Sequence, residues 1–281
     1  MKRLAFLLAC LPCAAFAADW DAPQQPFALY GGSYYVGPQG VSSVLVTSNA
    51  GHILIDGGTP KSPQQIAARI RALGFKVEDI KYILTSHEHF DHAGGIAELQ
   101  RLSGATVLTS PLALPVLETG KADKGDPQFG DLPDMAPVAK VKAVADGELV
   151  TVGALAIKAH YTPGHTQGGM SWTWTAVENG KAMNMVYADS LNAFGAGAFR
   201  YSGSASYPNA KLDVERSIAR VAALPCDILV TAHPEASGLF ERQAKGKAAL
   251  VDPAACRTYA EAGRARLAKT LAQEAAKRQD L

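Results

Sequence analysis

The most informative part of this chain is Ser86-His87-Glu88-His89-Phe90-Asp91-His92, residues 86–92. Four side chains of metal-ligating type stand within six positions of this stretch, in a chain that has only 7 histidines. The stretch follows an apolar, β-rich run and precedes a predicted helix, so it is expected to form a loop between a strand and a helix. Such loops are the usual place where a fold displays functional groups. A chance cluster of surface histidines is a poor explanation of this pattern, and we predict a metal site.

The ligand types in this stretch indicate which metal it would hold. Imidazole and carboxylate groups without a nearby cysteine favour Zn²⁺ with an open position for catalysis over a closed structural site. If the stretch stays extended, His87, His89 and Asp91 point to one side because side chains alternate along a strand, and His92 points elsewhere. One zinc ion needs three protein ligands, so these four side chains favour two metal ions.

Two further histidines stand where they could join the same site. His165 lies in a Pro-Gly turn after a β-rich run, and His233 follows another such run. Both are at predicted strand ends, as His87 is, so the three are expected to meet at one edge of a sheet. His160 continues an apolar strand and is interpreted as a packing residue, and His52 begins a strand with no partner pattern.

The composition narrows the class of protein. The chain has 281 residues, of which 48% are hydrophobic and 19% charged, enough apolar material for a sizeable core and too even a mixture for disorder. Lys and Arg total 27 against 26 for Asp and Glu, a net charge of +1, so no electrostatic footprint for nucleic acid or an anionic membrane is expected. With 4 cysteines, the chain is not a disulfide-built scaffold.

The order of sequence patterns indicates the fold class. β-rich runs alternate with helical patterns, which is typical of a protein whose strands and helices form layers. No repeat, low-complexity tract or linker divides the sequence, so a single layered domain is predicted. Helices are predicted over residues 63–73, with Ser62 as the cap and Gly74 as the stop, and over residues 93–102, 211–224 and 254–277.

The N-terminus has the pattern of an export signal. A positive Met1-Lys2-Arg3 start, a short apolar run and Ala15-Phe16-Ala17 predict a signal peptide over residues 1–17 and a mature domain over residues 18–281. The apolar run is too short for a transmembrane helix, so the mature protein is expected in the periplasm and not in a membrane. Leu7-Leu8-Ala9-Cys10 loosely resembles a lipoprotein cleavage box, which leaves a lipid-anchored form as a second option.

Signal cleavage would leave the mature domain with two cysteines, Cys226 and Cys256. In an oxidising compartment a disulfide is the default for a lone pair of cysteines. The alternative is two separate buried thiols.

Taken together, these residues carry a family resemblance. The pattern His87-x-His89-x-Asp91-His92, followed by His165 and His233, resembles the metallo-β-lactamase fold superfamily and, within it, class B, subclass 3 (B3). The resemblance spans nearly all of the mature chain, and Cys256 stands where that subclass keeps a disulfide partner. The supporting stretches are Asp56-Gly57-Gly58, Gly164-His165-Thr166, Trp172-Thr173-Trp174, Tyr187-Ala188-Asp189-Ser190-Leu191, Leu224-Pro225-Cys226-Asp227 and Thr231-Ala232-His233-Pro234.

The resemblance implies an α+β fold, a four-layer αββα sandwich with a dinuclear zinc site at one edge of its sheets. Carried over by position, the first zinc would take His87, His89 and His165, and the second would take Asp91, His92 and His233. Ser190 and Asn192 occupy the positions where the subclass contacts the substrate carboxylate, and Asn192 stands where serine is common. Some members place a tyrosine near the reacting carbonyl, and this chain has Ala196 there, so that oxyanion contact is expected to be missing.

The implied function is zinc-dependent hydrolysis of the β-lactam amide bond by a metal-bound hydroxide that Asp91 orients, giving antibiotic resistance. Its partners would be small β-lactam molecules, with no nucleic acid involved and no membrane after signal cleavage. A serine-type mechanism is not expected because the chain contains no Ser-x-x-Lys arrangement.

Two other functions are consistent with the same residues. In thioesterase and lactonase relatives an aspartate of a Gly-Asp pair bridges both metals, and Ala188-Asp189-Ser190 admits that interpretation. In the β-lactamase interpretation Asp189 lies off the metals and Ser190 lies nearest to them. A more remote alternative is a non-enzymatic periplasmic zinc-binding protein, which would need closed coordination, whereas six ligands shared by two ions leave room for water.

Overall fold

A computed structural model describes residues 19–279, so the predicted signal peptide over residues 1–17 lies outside the described residues. Within the described range, the strands are β1 Phe27–Tyr30, β2 Ser33–Tyr35, β3 Val44–Ser48, β4 Gly51–Ile55, β5 Ile80–Leu84, β6 Thr106–Thr109, β7 Val141–Ala143, β8 Leu149–Val152, β9 Leu155–Tyr161, β10 Met170–Glu178, β11 Lys181–Ala188 and β12 Ile228–Thr231. The helices are α1 Pro63–Ala72, α2 Phe90–Ala93, α3 Ile96–Ser103, α4 Leu114–Thr119, α5 Ala210–Ala223, α6 Leu239–Ala244 and α7 Ala255–Gln279. Short 3₁₀ turns cover Val77–Asp79, Pro234–Ser237 and Lys247–Leu250.

The strands form two mixed sheets. The seven-stranded sheet has the order β1-β2-β3-β4-β5-β6-β7, antiparallel up to β4 and parallel from β4 onward. The five-stranded sheet has the order β12-β11-β10-β9-β8, antiparallel except for the β11–β12 pair.

Alternation along the strands divides the core into three apolar layers. Ile55 on β4 and Tyr187 on β11 lie in the layer between the sheets. Their neighbours face outward: Leu54 belongs to the layer under α1 and α3, and Val186 belongs to the layer under α5 and α7. Three apolar layers separate four layers of structure, so the predicted αββα sandwich is confirmed.

The predicted helices are present, with two differences. Ser62 precedes α1, but its hydroxyl donates to Asp21 Oδ1 at 2.6 Å instead of capping the helix, so that part of the prediction is wrong. The helix expected over residues 93–102 is divided into α2 and α3 by Gly94 and Gly95. Helix α1 ends near Gly74 as expected, and α5 and α7 match their predicted spans closely.

The glycine pair between α2 and α3 has a packing role. The Gly57 amide donates to His92 O at 2.9 Å and the Gly95 amide donates to Gly58 O at 3.1 Å. A Cβ at Gly95 would collide with the carbonyl oxygen of Gly57. Only glycine allows this close crossing of two backbones, which fixes the residues after β5 against the end of β4.

A disulfide joins Cys226, just before β12, to Cys256 at the start of α7. The predicted pairing is thus present, and the alternative of two separate thiols is wrong. No helix among residues 19–279 combines the length and the apolar character required to cross a membrane.

Candidate active site

Strand direction brings the predicted site residues to one edge of the sandwich. β4 and β5 run parallel, as do β11 and β12, and β9 shares the direction of β11 because both are antiparallel to β10. Within each sheet the carboxyl ends of these strands therefore lie on one side, and the contacts of His87 with Asp189 and of His92 with His233 join the two sides. His87 follows β5, His165 follows β9, Asp189 follows β11 and His233 follows β12.

His87, His89 and His165, here called the first group, lie together at this edge. Their ligand-type nitrogens all fall within 4.8 Å of one another. Each pair of rings has centroids 4.9 Å apart, and the residues are 0%, 3% and 8% exposed. The structure therefore brings together the three histidines predicted for the first zinc.

In each histidine of the first group, one ring nitrogen makes a hydrogen bond to a neighbouring oxygen outside the group. His87 Nδ1 lies 2.8 Å from Asp189 Oδ1, and His89 Nε2 lies 2.9 Å from Asp126 Oδ2. His165 Nδ1–H donates to the backbone carbonyl of Asn192 at 2.9 Å. Such contacts fix the ring orientation and the tautomer of a metal-ligating histidine. The remaining ring nitrogens therefore face the centre of the group.

Asp91, His92 and His233, here called the second group, lie next to the first. His92 Nε2 is 3.1 Å from Asp91 Oδ2 and 3.2 Å from His233 Nε2, and His233 Nε2 is 3.4 Å from Asp91 Oδ2. Ligand-type atoms of His87, Asp91 and His92 also fall within 4.8 Å of one another. His233 is the most accessible member, with 28% of its side chain exposed, and its Nδ1–H donates to Gly40 O at 2.9 Å.

One expectation about this stretch is wrong. The chain is extended at His89 but turns into α2 at Phe90, so Asp91 and His92 are helical. Asp91 therefore lies against His92, although ligand-type atoms of Asp91 and His87 remain within 4.8 Å of each other. The glycine crossing described above fixes this turn.

The donor set and its geometry fit metal ions. Tetrahedral zinc with bonds of about 2.0–2.1 Å separates its ligand atoms by about 3.3 Å, close to the spacings within the second group. Among the described residues His87 Nε2 is buried and has no hydrogen-bond partner, which fits a metal-ligating atom. Five imidazoles and one carboxylate, with no thiolate, are a donor set that suits Zn²⁺.

His87 and His165 of the first group differ from His92 of the second in proton affinity. Burial lowers the pKa of His87 and lowers that of His165 to about 3, so both imidazoles are neutral as metal binding requires. Burial acts in the same direction on His92, but the carboxylates of Asp91 and Asp56 outweigh it and raise the pKa of His92 to about 10. Burial opposes ionisation of Asp91 too, yet His92 and other histidines hold its pKa below the usual range.

Asp189 lies behind His87 and not between the two groups. It is fully buried, its Oδ1 contacts His87, and an added Cβ at Gly169 would collide with its Oδ2. Burial raises the pKa of Asp189 well above its usual range. This placement matches the β-lactamase interpretation of Asp189.

Sequence reasoning missed Asp126. Its Oδ1 accepts the Gln128 amide at 2.7 Å while its Oδ2 contacts His89, so the carboxylate is fixed at both oxygens. In the sequence, Gly125-Asp126-Pro127 has the composition of an ordinary turn. Only the contact across 37 residues shows that Asp126 belongs to the site.

An open cavity of about 310 Å³ lies beside the histidine cluster. Ser190 and Asn192, the two residues predicted to contact substrate, both line it, and their contact with a substrate stays a prediction. Ala196 has only a methyl side chain, and its amide donates to Pro127 O at 2.8 Å, so it provides no hydroxyl here. The full lining is Trp20, His165, Ser190, Asn192, His233, Glu235, Ala236, Tyr259 and Arg266.

Comparison with known proteins identifies the family. The profile of the metallo-β-lactamase superfamily matches residues 36–176. The crystal structure of MEM-A1, a subclass B3 metallo-β-lactamase isolated from a soil metagenome library, is 63% identical, with 92% of this chain and 100% of that chain covered and a TM-score of 0.91. The chain belongs to the subclass B3 metallo-β-lactamases. The same fold and family are seen in SMB-1 bound to 2-mercaptoethanesulfonate, at 51% identity, 91% and 99% coverage and a TM-score of 0.88.

Curated relatives of this B3 metallo-β-lactamase match a smaller part of it. Hydroxyacylglutathione hydrolase of Pseudomonas paraeruginosa is 32% identical over 148 residues, which are 53% of this chain and 45% of that protein. The chain thus spans about half the length of the curated relatives it matches. The predicted membership of subclass B3 is confirmed, and the relationship to hydroxyacylglutathione hydrolases is more distant.

Proposed function

We propose that this B3 metallo-β-lactamase is a periplasmic hydrolase that uses two zinc ions to open the amide bond of β-lactam antibiotics. The observation that carries the proposal is the meeting of two groups of ligand-type side chains beside an open cavity. A closed structural site would not need such a cavity, which argues against a protein that only stores zinc.

The residues of the two groups would divide the metal binding. His87, His89 and His165 would hold one ion, and Asp91, His92 and His233 would hold the other. Zinc bound there would polarise the lactam carbonyl and lower the pKa of a bound water to about 7. The charged neighbours of Asp91 keep its carboxylate ionised, so Asp91 would accept a hydrogen bond from the attacking water and orient it.

The cavity would receive the rest of the substrate. Ser190 and Asn192 offer a hydroxyl and an amide next to His165, and both can donate hydrogen bonds to a carboxylate. Ala196 supplies no such donor, so the oxyanion would depend on the metal site and not on a tyrosine at this position.

Export to the periplasm is supported by two features. The sequence pattern of residues 1–17 is that of a signal peptide. The Cys226–Cys256 disulfide is of a kind that persists in oxidising compartments and is rare in the cytosol.

A thioesterase is the second candidate, favoured by the match to hydroxyacylglutathione hydrolases. An aspartate that bridges both metals is what the sequence analysis associates with that activity. Asp189 is the aspartate at this position, and its Oδ1 contacts the rear nitrogen of His87. This contact favours the β-lactam hydrolase.

The test is a direct comparison of substrates with metal analysis. The purified protein is assayed on a β-lactam, a thioester and a lactone, before and after dialysis against a chelator and after zinc is restored. We expect β-lactam turnover to dominate, to disappear with the metal and to return with two zinc ions per chain. Thioester turnover without β-lactam turnover would assign the protein to the second candidate, and full activity in verified metal-free protein would refute the zinc mechanism.

A further inference from the structure

Helix α7 presents one face to the loop that follows β11. Tyr259, Gly263, Arg266 and Thr270 are spaced at i, i+4, i+7 and i+11, which places them along one side of a helix. This face runs beside the backbone of residues 189–193, the segment that carries Ser190 and Asn192.

Three of these four residues fix the loop. Tyr259 Oη donates to Asp189 O at 2.9 Å and accepts the Leu191 amide at 3.0 Å. Thr270 Oγ1 donates to Ala193 O at 2.8 Å. Gly263 packs so closely that an added Cβ would lie 2.9 Å from Leu191 Cβ. Three hydrogen bonds and one close packing contact therefore hold α7 against residues 189–193.

Arg266, the fourth residue of this face, makes no hydrogen bond or ion pair with the residues that the structure describes, and its contact there is the ring of Tyr259. It lines the cavity that Ser190 and Asn192 also line. Its guanidinium lies 5.7 Å from the centre of the Tyr259 ring, and its Nε is buried without a hydrogen-bond partner. Among residues 19–279, no carboxylate oxygen lies within 4.0 Å of the Arg266 nitrogens, the distance of an ion pair. This holds also for Glu235, an exposed residue that lines the same cavity.

Arg242 shows what a structural arginine looks like in this protein. Its guanidinium donates to three backbone carbonyls, those of Ser237, Leu250 and Leu229, at 3.1, 3.0 and 2.8 Å. Arg242 thus braces the chain around it. Arg266 makes no comparable hydrogen bond among the described residues.

We propose that Arg266 binds the carboxylate of the substrate and is a specificity-determining residue beside Ser190 and Asn192. The inference rests on the proposed β-lactam hydrolase function. A guanidinium offers a planar pair of donors that matches a carboxylate, and such charge-assisted bonds are about twice as strong as neutral ones. Stacking on Tyr259 holds the guanidinium in place before a ligand arrives, which lowers the entropic cost of binding.

The test compares a chromogenic cephalosporin that has a free carboxylate with the methyl ester of the same compound. The variants are R266Q, R266K and, as a matched control, R264Q, which changes an exposed arginine of the same helix. We expect R266Q to raise KM for the free acid by about 10–100-fold and to leave kcat nearly unchanged. R266K should recover part of the loss, the ester should be insensitive to R266Q, and R264Q should behave as the parent protein.

Two controls separate a binding role from a structural one. Zinc content and thermal unfolding of R266Q should equal those of the parent protein. An equal rise of KM for acid and ester would overturn the proposal and make Arg266 a brace of the loop. An unchanged KM for the free acid would overturn it as well.

A binding measurement keeps the proposal testable if the proposed function fails. Calorimetry can measure the affinity of the zinc-loaded parent and R266Q for the hydrolysed cephalosporin, which needs no turnover. Weaker binding by R266Q supports the anion site, and equal affinity refutes it. Absence of turnover of either cephalosporin by the parent protein would refute the proposed function alone.

Discussion

The two groups of ligand-type residues are built differently although they lie side by side. The first group is almost fully buried, and all three of its histidines are held from behind by Asp189, Asp126 or the Asn192 carbonyl. In the second group, His92 lies between two carboxylates and His233 is partly exposed. In the proposed zinc enzyme, the first group would already be held by its own hydrogen bonds, whereas a metal ion entering the second group would have to displace a proton from His92.

The largest expected effect comes from removing the carboxylate of the second group. Asp91→Asn should lower kcat/KM for β-lactams by about 10²–10⁴-fold, since Asp91 both belongs to the second group and would orient the water. Steady-state kinetics and zinc per chain measured by mass spectrometry check this. If Asp91→Asn keeps both its zinc and its turnover, the role of Asp91 is wrong.

A smaller effect should follow from removing a hydrogen bond to a histidine of the first group while keeping all predicted metal ligands. Asp126→Ala removes the hold on His89 Nε2 and should lower zinc affinity by about 10–100-fold. Competition with a chromophoric chelator measures it. The matched control is Asp123→Ala in the same loop, because Asp123 is exposed and bonds to the Gly125 amide instead of a histidine. Equal zinc affinity in the two variants would contradict the comparison.

The pH dependence of metal binding should distinguish the groups. His92 has its pKa raised to about 10, so below that pH a metal ion entering the second group must release its proton, and affinity should rise about tenfold per pH unit. In the first group, burial lowers the pKa values of His87 and His165, so these two should release no proton. Calorimetry of the metal-free protein in two buffers of different ionisation enthalpy, near pH 7.5, counts the protons. If neither metal-binding step releases a proton, the predicted difference in proton release between the two groups is wrong.

The same raised pKa makes a prediction for the metal-free protein. A group whose folded-state pKa exceeds its unfolded value stabilises the fold most below the unfolded pKa, which is about 6.5 for histidine. This contribution is lost as pH rises toward the folded value of about 10. The melting temperature of the metal-free protein should therefore fall as the pH rises over that interval. His92→Gln should reduce this fall. A pH profile that His92→Gln leaves unaltered would argue against the His92–Asp91 charge pair.

The smallest effect on chemistry is expected from the disulfide. Cys226→Ser opens a ring of 30 residues that contains His233, and the chain-entropy model assigns such a ring about 3–4 kcal/mol of stability. Denaturant unfolding should show the loss, while zinc content and kcat/KM stay near the parent values under native conditions. Cys256→Ser should match it. Loss of zinc from the folded Cys226→Ser protein would show that the disulfide shapes the site directly.

The sequence was sufficient for the parts of the site that strand ends determine. His165 and His233 were found because each follows a β-rich run, and parallel strands must deliver their carboxyl ends to one edge. The turn at Phe90 was missed because it depends on the crossing of Gly57 and Gly95, which are distant in the chain. Asp126 was missed for the same reason.

Ser62 and Arg266 show the limit of local patterns more sharply. Ser62 has the position of a cap, yet a hydrogen bond to Asp21, 41 residues away, takes its hydroxyl. Arg266 looks like any other arginine of an alanine-rich helix, and only its neighbours across the cavity distinguish it. Long-range contacts of this kind are set by packing and are not encoded in the spacing of residue types.

The packing of α7 against residues 189–193 places two parts of the candidate site on separate stretches of the chain. All six residues of the two metal groups precede α7, while Tyr259, Arg266 and Thr270 lie on it. If Arg266 binds the substrate carboxylate as proposed, substitutions on this helical face would change how that group is held and leave the six metal-group residues unchanged. An inhibitor that contacts Arg266 would accordingly depend on a part of the chain separate from the residues of the two metal groups.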